Sequence, residues 1–187
     1  QIRLVCEYFY KCNKLHNLEM MEEFQKICLE FEAGGIKYAP LKGIQFLNEY
    51  YTDLGSRQLG DIDVLVNSSD YKIIKKIMND LGYIEGEYEY VEKRIIPIDR
   101  KLQLLHQKSI GNFHPFKKIA DDKQLSEIFS IDFTYQIKGD LSGHIGKCIL
   151  ENKFECKTVY FIYLCTHLYK EAIGTYWIYN NKSDSII

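Results

Sequence analysis

Several features that would place this chain of 187 residues in another class of protein are missing. The chain contains no run of about 18 apolar residues, which excludes an evident membrane-spanning helix, and nothing at its start resembles a cleavable signal. The six cysteines form no C-x-x-C pair and have no histidines at zinc-finger spacing, so reduced, mostly buried thiols are expected. These absences predict a soluble cytoplasmic protein without membrane contacts.

A strong excess of charge of one sign is also missing. The net charge is -2 and the pI is near 6.2, so the chain lacks the basic surface that holds a long nucleic-acid duplex through its phosphates. Nucleic acid is therefore disfavoured as a partner. What the chain does contain is an ordinary globular composition, with 46% hydrophobic and 27% charged residues, which can bury a substantial core.

Four stretches have the periodicity of helices. In the first, apolar residues recur at helical spacing, Asn17 is placed to cap the helix, and Gly34 with Gly35 is placed to end it. In the second, Gly82 takes the place of a left-handed C-cap. The predicted helices are residues 18–31, 71–81, 124–129 and 159–172, whereas the stretch 142–150 has no clear pattern.

Strand patterns lie between these helices. A short apolar strand near the start leads through a tight turn into a short helix with apolar residues at Ile44, Leu47 and Tyr51. Further along, three consecutive stretches predict an antiparallel meander, whose last two strands join in a turn that contains Pro97 and Asp99. The predicted strands are residues 36–41, 61–66, 83–90, 91–96 and 102–107.

Two acidic residues alternate along the predicted strand 61–66. Because side chains alternate faces in a strand, Asp61 and Asp63 are expected to point the same way, while Ile62 and Val64 face the opposite layer. Two carboxylates at one spot repel each other unless a cation lies between them or solvent reaches both. Hard oxygen ligands suit Mg²⁺ that bridges substrate phosphates, so Asp61 and Asp63 are the candidate catalytic and metal-binding residues.

Residues upstream of this strand suit a polyphosphate. Gly43 opens a helix whose free N–H groups and positive dipole end are able to receive a triphosphate, and glycine permits a close approach. Lys42 adds a point charge and Arg57 a forked contact to phosphate oxygens. For Lys42, a solvated surface charge is an equally good interpretation. Together with the two carboxylates, these nucleotide-binding candidates supply what metal-assisted nucleotidyl transfer requires.

The order of these motifs carries a resemblance to a known family. L-K-G at 41–43, Arg57 and D-I-D-V-L-V at 61–66 follow one another as similar motifs do in the uncharacterised nucleotidyltransferase family, which is related to polymerase β-type and antibiotic-modifying nucleotidyltransferases. The resemblance is clearest over residues 38–83, and L-C-T-H-L-Y-K-E-A at 164–172 is similar to a helical motif in the second half of the family. It implies an α+β, polymerase β-type nucleotidyltransferase fold: a mixed sheet flanked by helices, with a partial C-terminal helical region.

The chain departs from the family pattern at one metal ligand. The resemblance implies a third carboxylate just before a histidine on a later strand, as in D/E-L-H, whereas this sequence reads L-L-H at 104–106. The expected acid is absent there, which weakens the predicted metal binding. Under a different register, the residues that would replace it are Gln103, Asp99 and Glu92.

Accessory candidates lie outside the main constellation. His106 is a candidate to orient a metal ligand or the acceptor, although a histidine on an apolar strand is more often packed and hydrogen-bonded. His167 and Lys170 share a helical face with Glu171, which suits either a cleft or a surface ion pair. Gln103 completes the set of accessory candidates.

The same motifs predict three segments. These are an N-terminal helical segment 1–35, a nucleotidyltransferase core 36–115 and a mainly helical region 116–187. The chain begins with Gln1 instead of methionine and stops where family members continue into further helices. The natural start is therefore expected to be missing, and the acceptor-binding C-terminal region is expected to be truncated.

Two functions follow from these motifs. The first is a Mg²⁺-dependent nucleotidyltransferase that moves a nucleoside monophosphate from a nucleoside triphosphate to a hydroxyl of a small molecule or a protein. The alternative is a catalytically degenerate, nucleotidyltransferase-like binding or regulatory protein, motivated by Leu104 at the position of the missing acid. The resemblance alone adds an antitoxin-like role to this second function.

Overall fold

A computed structural model of the protein describes residues 2–104, 111–137, 139–152 and 157–182, with side chains at 2–104, 111–137, 139–151, 157–169 and 172. The helices are α1 (Ile2–Ala33), α2 (Lys42–Glu49), α3 (Tyr71–Asp80), α4 (His144–Asn152) and α5 (Lys157–Lys182). Residues 100–104 are also helical. The strands are β1 (Tyr38–Leu41), β2 (Ile62–Val66), β3 (Ile84–Glu89), β4 (Arg94–Pro97), β5 (Phe116–Ile119) and β6 (Ile128–Thr134).

The strands form one mixed sheet in the order β1-β2-β6-β5-β3-β4. β2 runs parallel to β6, and the other neighbouring strands pair antiparallel. The predicted α+β class, a mixed sheet flanked by helices, is therefore confirmed. The parallel pair β2–β6 joins segments that lie far apart in the chain, so its register depends on tertiary packing.

The chain divides into two compact units, Gln1–Tyr135 and Gln136–Ile187. The first contains the whole sheet with α1, α2 and α3, and the second contains α4 and α5. Because β5 and β6 belong to the same sheet as β1 and β2, the sheet continues past residue 115. The division into segments 1–35, 36–115 and 116–187 remains a prediction.

The first helix is longer than its apolar pattern predicts. α1 begins at Ile2 instead of residue 18, so Asn17 lies inside the helix and the prediction that it is an N-cap is wrong. Its side chain is fully buried and bonds to a loop of the first unit. The predicted end is confirmed, since Gly35 adopts a φ of +67° just after the helix, a conformation that favours glycine.

The predicted strand 102–107 is wrong over its described part. Residues 102–104 belong to a helical turn because Asp99 starts it: its carboxylate accepts the Lys101 N–H at 3.1 Å, and its carbonyl accepts the Gln103 N–H at 2.9 Å. Residues 105–107 lie outside the described residues. The preceding hairpin is present, with β3 and β4 paired antiparallel, and residues 90–93 form its turn.

The predicted helix 124–129 is also wrong. Residues 121–127 form turns, and β6 begins at Ile128. Along β6 the buried residues Phe129, Ile131 and Phe133 alternate with partly exposed polar ones. This period of two is the pattern of a strand with one face in the core.

The core lies on one face of the sheet and fixes the strand register. Ile62, Ile131 and Phe116 take neighbouring positions on three adjacent strands, and each is fully buried. Helices α1 and α3 contribute Phe31 and Met78 to the same hydrophobic cluster. The residues that follow Ile62 and Ile131 therefore project from the opposite face of the sheet.

Within the second unit, α4 and α5 pack against each other. The carboxylate of Asp140 accepts the Gly146 N–H at 3.0 Å in the first turn of α4, which satisfies one of the free donors of a helix start. α4 covers residues 144–150 of the stretch that had no clear pattern and continues to Asn152. α5 extends the predicted helix 159–172 at both ends.

The structure also bears on two expectations from the sequence, which concern the cysteines and membrane-spanning helices. The cysteines of the described part of the chain are free thiols, and they are exposed or half-buried, so the expectation of mostly buried thiols is wrong there. Among the described helices, none has the length and hydropathy that crossing a bilayer requires.

The β3–β4 pairing gives a test of the fold. A methyl group on Gly86 would overlap the Ile96 carbonyl oxygen, so we expect Gly86→Ala to destabilise the protein by about 1–3 kcal/mol in urea denaturation. Gly60→Ala is the matched control, because no atom lies within 4 Å of its added methyl group, and a change within about 0.5 kcal/mol is expected. Equal denaturation midpoints for the two variants would contradict this pairing.

Candidate active site

Three carboxylates meet on the sheet face opposite the core. Asp61 directly precedes β2, Asp63 lies in β2 and Asp132 lies in β6. One ligand oxygen of each lies within 4.8 Å of the other two. We call these residues the acid cluster. It is the one group of three potential metal-ligating side chains found in the part of the chain that the structure describes.

Strand pairing creates the acid cluster. Asp63 and Asp132 are direct partners in the parallel register of β2 and β6, and their preceding neighbours Ile62 and Ile131 anchor both strands in the core. Residues in register on parallel strands project from the same face. The structure thus brings together Asp61 and Asp63, as their alternation predicted, and adds a third acid.

The third carboxylate lies on a different element from the one that the sequence motif predicted. The acid was expected near residues 103–106, but residues 100–104 are helical and the chain supplies Asp132 from β6 instead. The acid is absent at the expected position, as the sequence reads, and the third carboxylate of the cluster lies on β6. The signal that identifies Asp132 is the alternation I-F-S-I-D-F-T over 128–134, which places Asp132 opposite the buried phenylalanines.

Electrostatic strain concentrates on the acid cluster. Burial, followed by the charges of Asp63 and Asp61, raises the pKa of Asp132 to about 7. Burial and the charge of Asp63 also raise the pKa of Asp61. Lys42 opposes both shifts. Because like charges contribute to the raised pKa of Asp61 and Asp132, a cation among the carboxylates would relieve the repulsion.

Lys42 belongs to the acid cluster's surroundings. Its Nζ lies 2.8 Å from Asp63 Oδ1, and its side chain is 28% exposed. The interpretation of Lys42 as a solvated surface charge therefore does not describe this structure. Its backbone has a φ of +49°, a left-handed conformation that costs a residue with a side chain about 1–2 kcal/mol. The backbone strain at Lys42 therefore lies at the first residue of α2.

Gly43 is explained by packing within the first unit. α2 begins at Lys42, so Gly43 is its second residue. A Cβ on Gly43 would lie 2.5 Å from Leu59 Cδ1, so the glycine makes room for Leu59. Its predicted part in binding phosphate remains a prediction.

Arg57 lies on the loop between α2 and β2. Its guanidinium carbon is 5.6 Å from the centre of the Phe46 ring, which is within the range of a cation–π interaction. Its backbone carbonyl accepts a hydrogen bond from Asn17. Both the guanidinium group and the backbone of Arg57 therefore have contacts within the first unit. Its contact with phosphate remains a prediction.

The accessory candidates have other contacts or lie outside the described residues. Gln103 donates to Tyr71 Oη and to Glu85. In the second unit the ring of His167 stacks on Tyr163, with centres 6.3 Å apart. His106 and the side chain of Lys170 lie outside the described residues. Among the other replacements considered for the third acid, Glu92 pairs with Arg94 at 2.7 Å, and Asp99 starts the helical turn.

Lys117, a cation outside the sequence motifs, also acts on the acid cluster. Lys117 on β5 is the cross-strand partner of Ser130, which lies two residues before Asp132 on the same face. Its charge lowers the pKa of Asp132 in opposition to burial. Its Nζ also contacts Glu87, whose pKa is lowered by Lys117 and His114 against the effect of burial. The proximity of Lys117 to Asp132 follows from the register of β5 and β6.

The donor set of the acid cluster fits a hard divalent cation. It offers carboxylate oxygens only, which are the ligands that Mg²⁺ prefers. Burial and the charges of the neighbouring carboxylates raise the pKa of both Asp61 and Asp132, even with Lys42 nearby. Asp61, Asp63 and Asp132 would therefore hold such an ion.

Replacing Asp132 tests this electrostatic account. Its pKa is 3.8 in a model peptide and about 7 in the fold, so the native state binds the additional proton and stability falls as the pH rises between these values. We expect Asp132→Asn to be more stable than wild type at pH 8 in EDTA, with a difference that shrinks towards pH 4. We also expect Mg²⁺ to raise the melting temperature of wild type more than that of the variant.

Thermal unfolding measures both effects. Asp122→Asn, at an exposed position outside the cluster, should follow wild type throughout. A pH-independent difference between Asp132→Asn and wild type would contradict the raised pKa.

The backbone of Lys42 gives a second test. Lys42→Gly removes the left-handed strain and the ion pair together, whereas Lys42→Ala removes only the ion pair. We therefore expect Lys42→Gly to be more stable than Lys42→Ala by about 1 kcal/mol in chemical denaturation. Lys93, which also has a φ of +49°, is the matched control and should show the same order. Equal stability of the two Lys42 variants would contradict the left-handed backbone.

A comparison with known protein families places the chain in one family. Residues 6–180 match the family model described as "Uncharacterised nucleotidyltransferase". Neither the curated proteins nor the solved structures give a significant match. The family match covers nearly the whole chain, and the mixed α+β sheet with its acid cluster is consistent with a nucleotidyltransferase fold. The chain therefore belongs to the uncharacterised nucleotidyltransferase family.

Proposed function

We propose that this protein is a Mg²⁺-dependent nucleotidyltransferase that moves a nucleoside monophosphate from a nucleoside triphosphate to a hydroxyl of a small molecule or a protein. The observation that carries the proposal is the acid cluster, whose three ligand oxygens lie within 4.8 Å of one another. Family membership supports nucleotidyl transfer as the general activity. The carboxylate donor set supports Mg²⁺ as the ion.

Asp61, Asp63 and Asp132 would hold the metal ion in this proposal. When bound, Mg²⁺ supplies positive charge that offsets the repulsion of the carboxylates and polarises the phosphate of the substrate. Lys42, whose Nζ lies 2.8 Å from Asp63 Oδ1, orients that carboxylate through a charge-assisted hydrogen bond. It also places an ammonium group beside the position where the triphosphate would lie.

The remaining nucleotide contacts are assigned to the residues before β2. Arg57 is the candidate for a forked contact to phosphate oxygens. The start of α2, where Gly43 lies, is the candidate to receive the triphosphate, because the positive end of the helix dipole favours an anion. These contacts would bring the nucleotide to the acid cluster by its triphosphate end.

The transfer itself exchanges one bond at the α-phosphorus. The acceptor oxygen forms a bond to phosphorus, the bond to the bridging oxygen of the β-phosphate breaks, and pyrophosphate leaves with that electron pair. The acceptor hydroxyl loses its proton. Asp132, the carboxylate on which burial and two like charges act, is the candidate to receive this proton.

The degenerate, binding-only alternative loses its main support. It was motivated by Leu104 at the expected position of the third acid, and Asp132 now supplies a third carboxylate from β6. The antitoxin-like role rests on the resemblance alone, without a feature of the described residues that favours it. The enzyme is therefore the function that the geometry supports best.

Nucleotide binding and transfer test this proposal. Calorimetric titration with each common nucleoside triphosphate in Mg²⁺ should show binding by wild type, and EDTA should abolish it. We expect Asp61→Ala with Asp63→Ala, and separately Asp132→Asn, to lower transfer of the α-³²P label to an acceptor by on the order of 100-fold or more.

Asp122→Asn is the control, since it removes an exposed carboxylate outside the cluster. Wild type that binds no nucleoside triphosphate with Mg²⁺ or Mn²⁺ would contradict the proposal. Transfer that persists in the acid-cluster variants would contradict the assigned site.

A further inference from the structure

The loop between α2 and β2 connects the two predicted parts of the nucleotide site. We call residues 53–60 the approach loop, because they carry Arg57 and lead directly into Asp61. This segment has no regular secondary structure, so its backbone hydrogen bonds must be met in another way. Three of its backbone groups bond to a single buried side chain of α1, namely Asn17.

Asn17 bonds to the approach loop on both sides of Arg57. Its amide nitrogen donates to the carbonyls of Leu54, at 2.6 Å, and of Arg57 itself. Its amide oxygen accepts the Leu59 N–H at 3.0 Å. The side chain is fully buried, where unsatisfied polar groups are costly. These contacts therefore specify one conformation of the loop backbone at Arg57.

His16 links the approach loop to the start of β6. One ring nitrogen lies 2.7 Å from the Leu59 carbonyl, and the other lies 2.8 Å from Ser126 Oγ. Ser126 precedes β6 by two residues, and Glu19 accepts its N–H at 2.9 Å. The segments that lead into Asp61 and Asp132 are thus tied to the same part of α1.

Tyr10 adds a third point of contact on α1. Its hydroxyl donates to Asp53 Oδ1 at 2.7 Å. Its ring lies so close to the loop that a Cβ on Gly55 would come within 2.5 Å of it. Tyr10, His16 and Asn17 together hold the approach loop from one side.

We propose that Asn17 and His16 are positioning residues of the nucleotide site. Asn17 fixes the approach loop so that Arg57 is presented to the triphosphate. His16 ties the end of the loop, next to Asp61, to the segment that leads into Asp132. This inference rests on the proposed function, because it assigns Arg57 a substrate contact. Asn17 acts through Arg57, because it bonds to the Arg57 carbonyl and its own side chain is fully buried. In this inference, α1 both packs against the core and positions the approach loop of the nucleotide site.

Hydrogen exchange and nucleotide affinity together test the inference in the full chain. We expect Asn17→Ala to speed amide exchange in residues 53–60, at Leu59 above all, because its N–H loses an acceptor. The affinity for each common nucleoside triphosphate with Mg²⁺ should fall by about 10–100-fold. In an Arg57→Ala background, the same substitution should change the affinity by less than about twofold, because the two residues act as one unit.

Two further variants keep the test informative. Tyr10→Phe removes only the hydroxyl that bonds Asp53, so it should fold and show a smaller increase in exchange in the same loop. Asn13→Ala removes the same kind of side chain one helical turn earlier, from a half-buried position, and should match wild type.

Each outcome decides the inference. Unchanged exchange in residues 53–60 of Asn17→Ala would overturn it, and so would an affinity loss that is undiminished in the Arg57→Ala background. Wild type that binds none of these nucleotides would overturn the proposed function and the role of Asn17 within it. Faster exchange confined to the loop would then still establish that α1 holds the loop.

Discussion

The parallel pairing of β2 with β6 is the interaction on which the rest of the site depends. It sets Asp63 beside Asp132, although like charges at this spacing repel in a partly buried place. The opposite face of the same strands offsets that repulsion, because Ile62, Ile131 and their neighbours are buried together in the core. The hydrophobic core thus supports an arrangement of acids that electrostatics alone would separate, and a cation is the simplest means of relieving it.

The elements around this pair all constrain the same small region. Lys42 bonds to Asp63 from the start of α2, Lys117 acts on Asp132 from β5, and Asn17 fixes the loop that enters Asp61. Lys42 lies in the L-K-G motif, whereas Lys117 and Asn17 lie in other parts of the chain. The site is therefore a product of the tertiary fold, with two cations and a buried amide positioned around three carboxylates.

The sequence predicted those parts of the site and fold that depend on residues close together in the chain. Asp61 and Asp63 alternate within one strand, and Gly35 and Gly82 end helices at the expected places. The sequence did not predict Asp132 as a site residue, because its partner Asp63 lies on a strand that is distant in the chain. The family motif placed the third acid near residue 104, and not in the I-F-S-I-D-F-T alternation. Asn17 was misassigned because the first turns of α1 expose apolar residues and so lack a helical stripe.

A crystal grown with Mn²⁺ and a non-hydrolysable nucleoside triphosphate tests the central claim most directly. Manganese takes the same oxygen ligands as magnesium and scatters anomalously. The account predicts an anomalous peak among the carboxylates of Asp61, Asp63 and Asp132, with the triphosphate beside it. A peak bound elsewhere, or a nucleotide that lies away from these carboxylates, would contradict it.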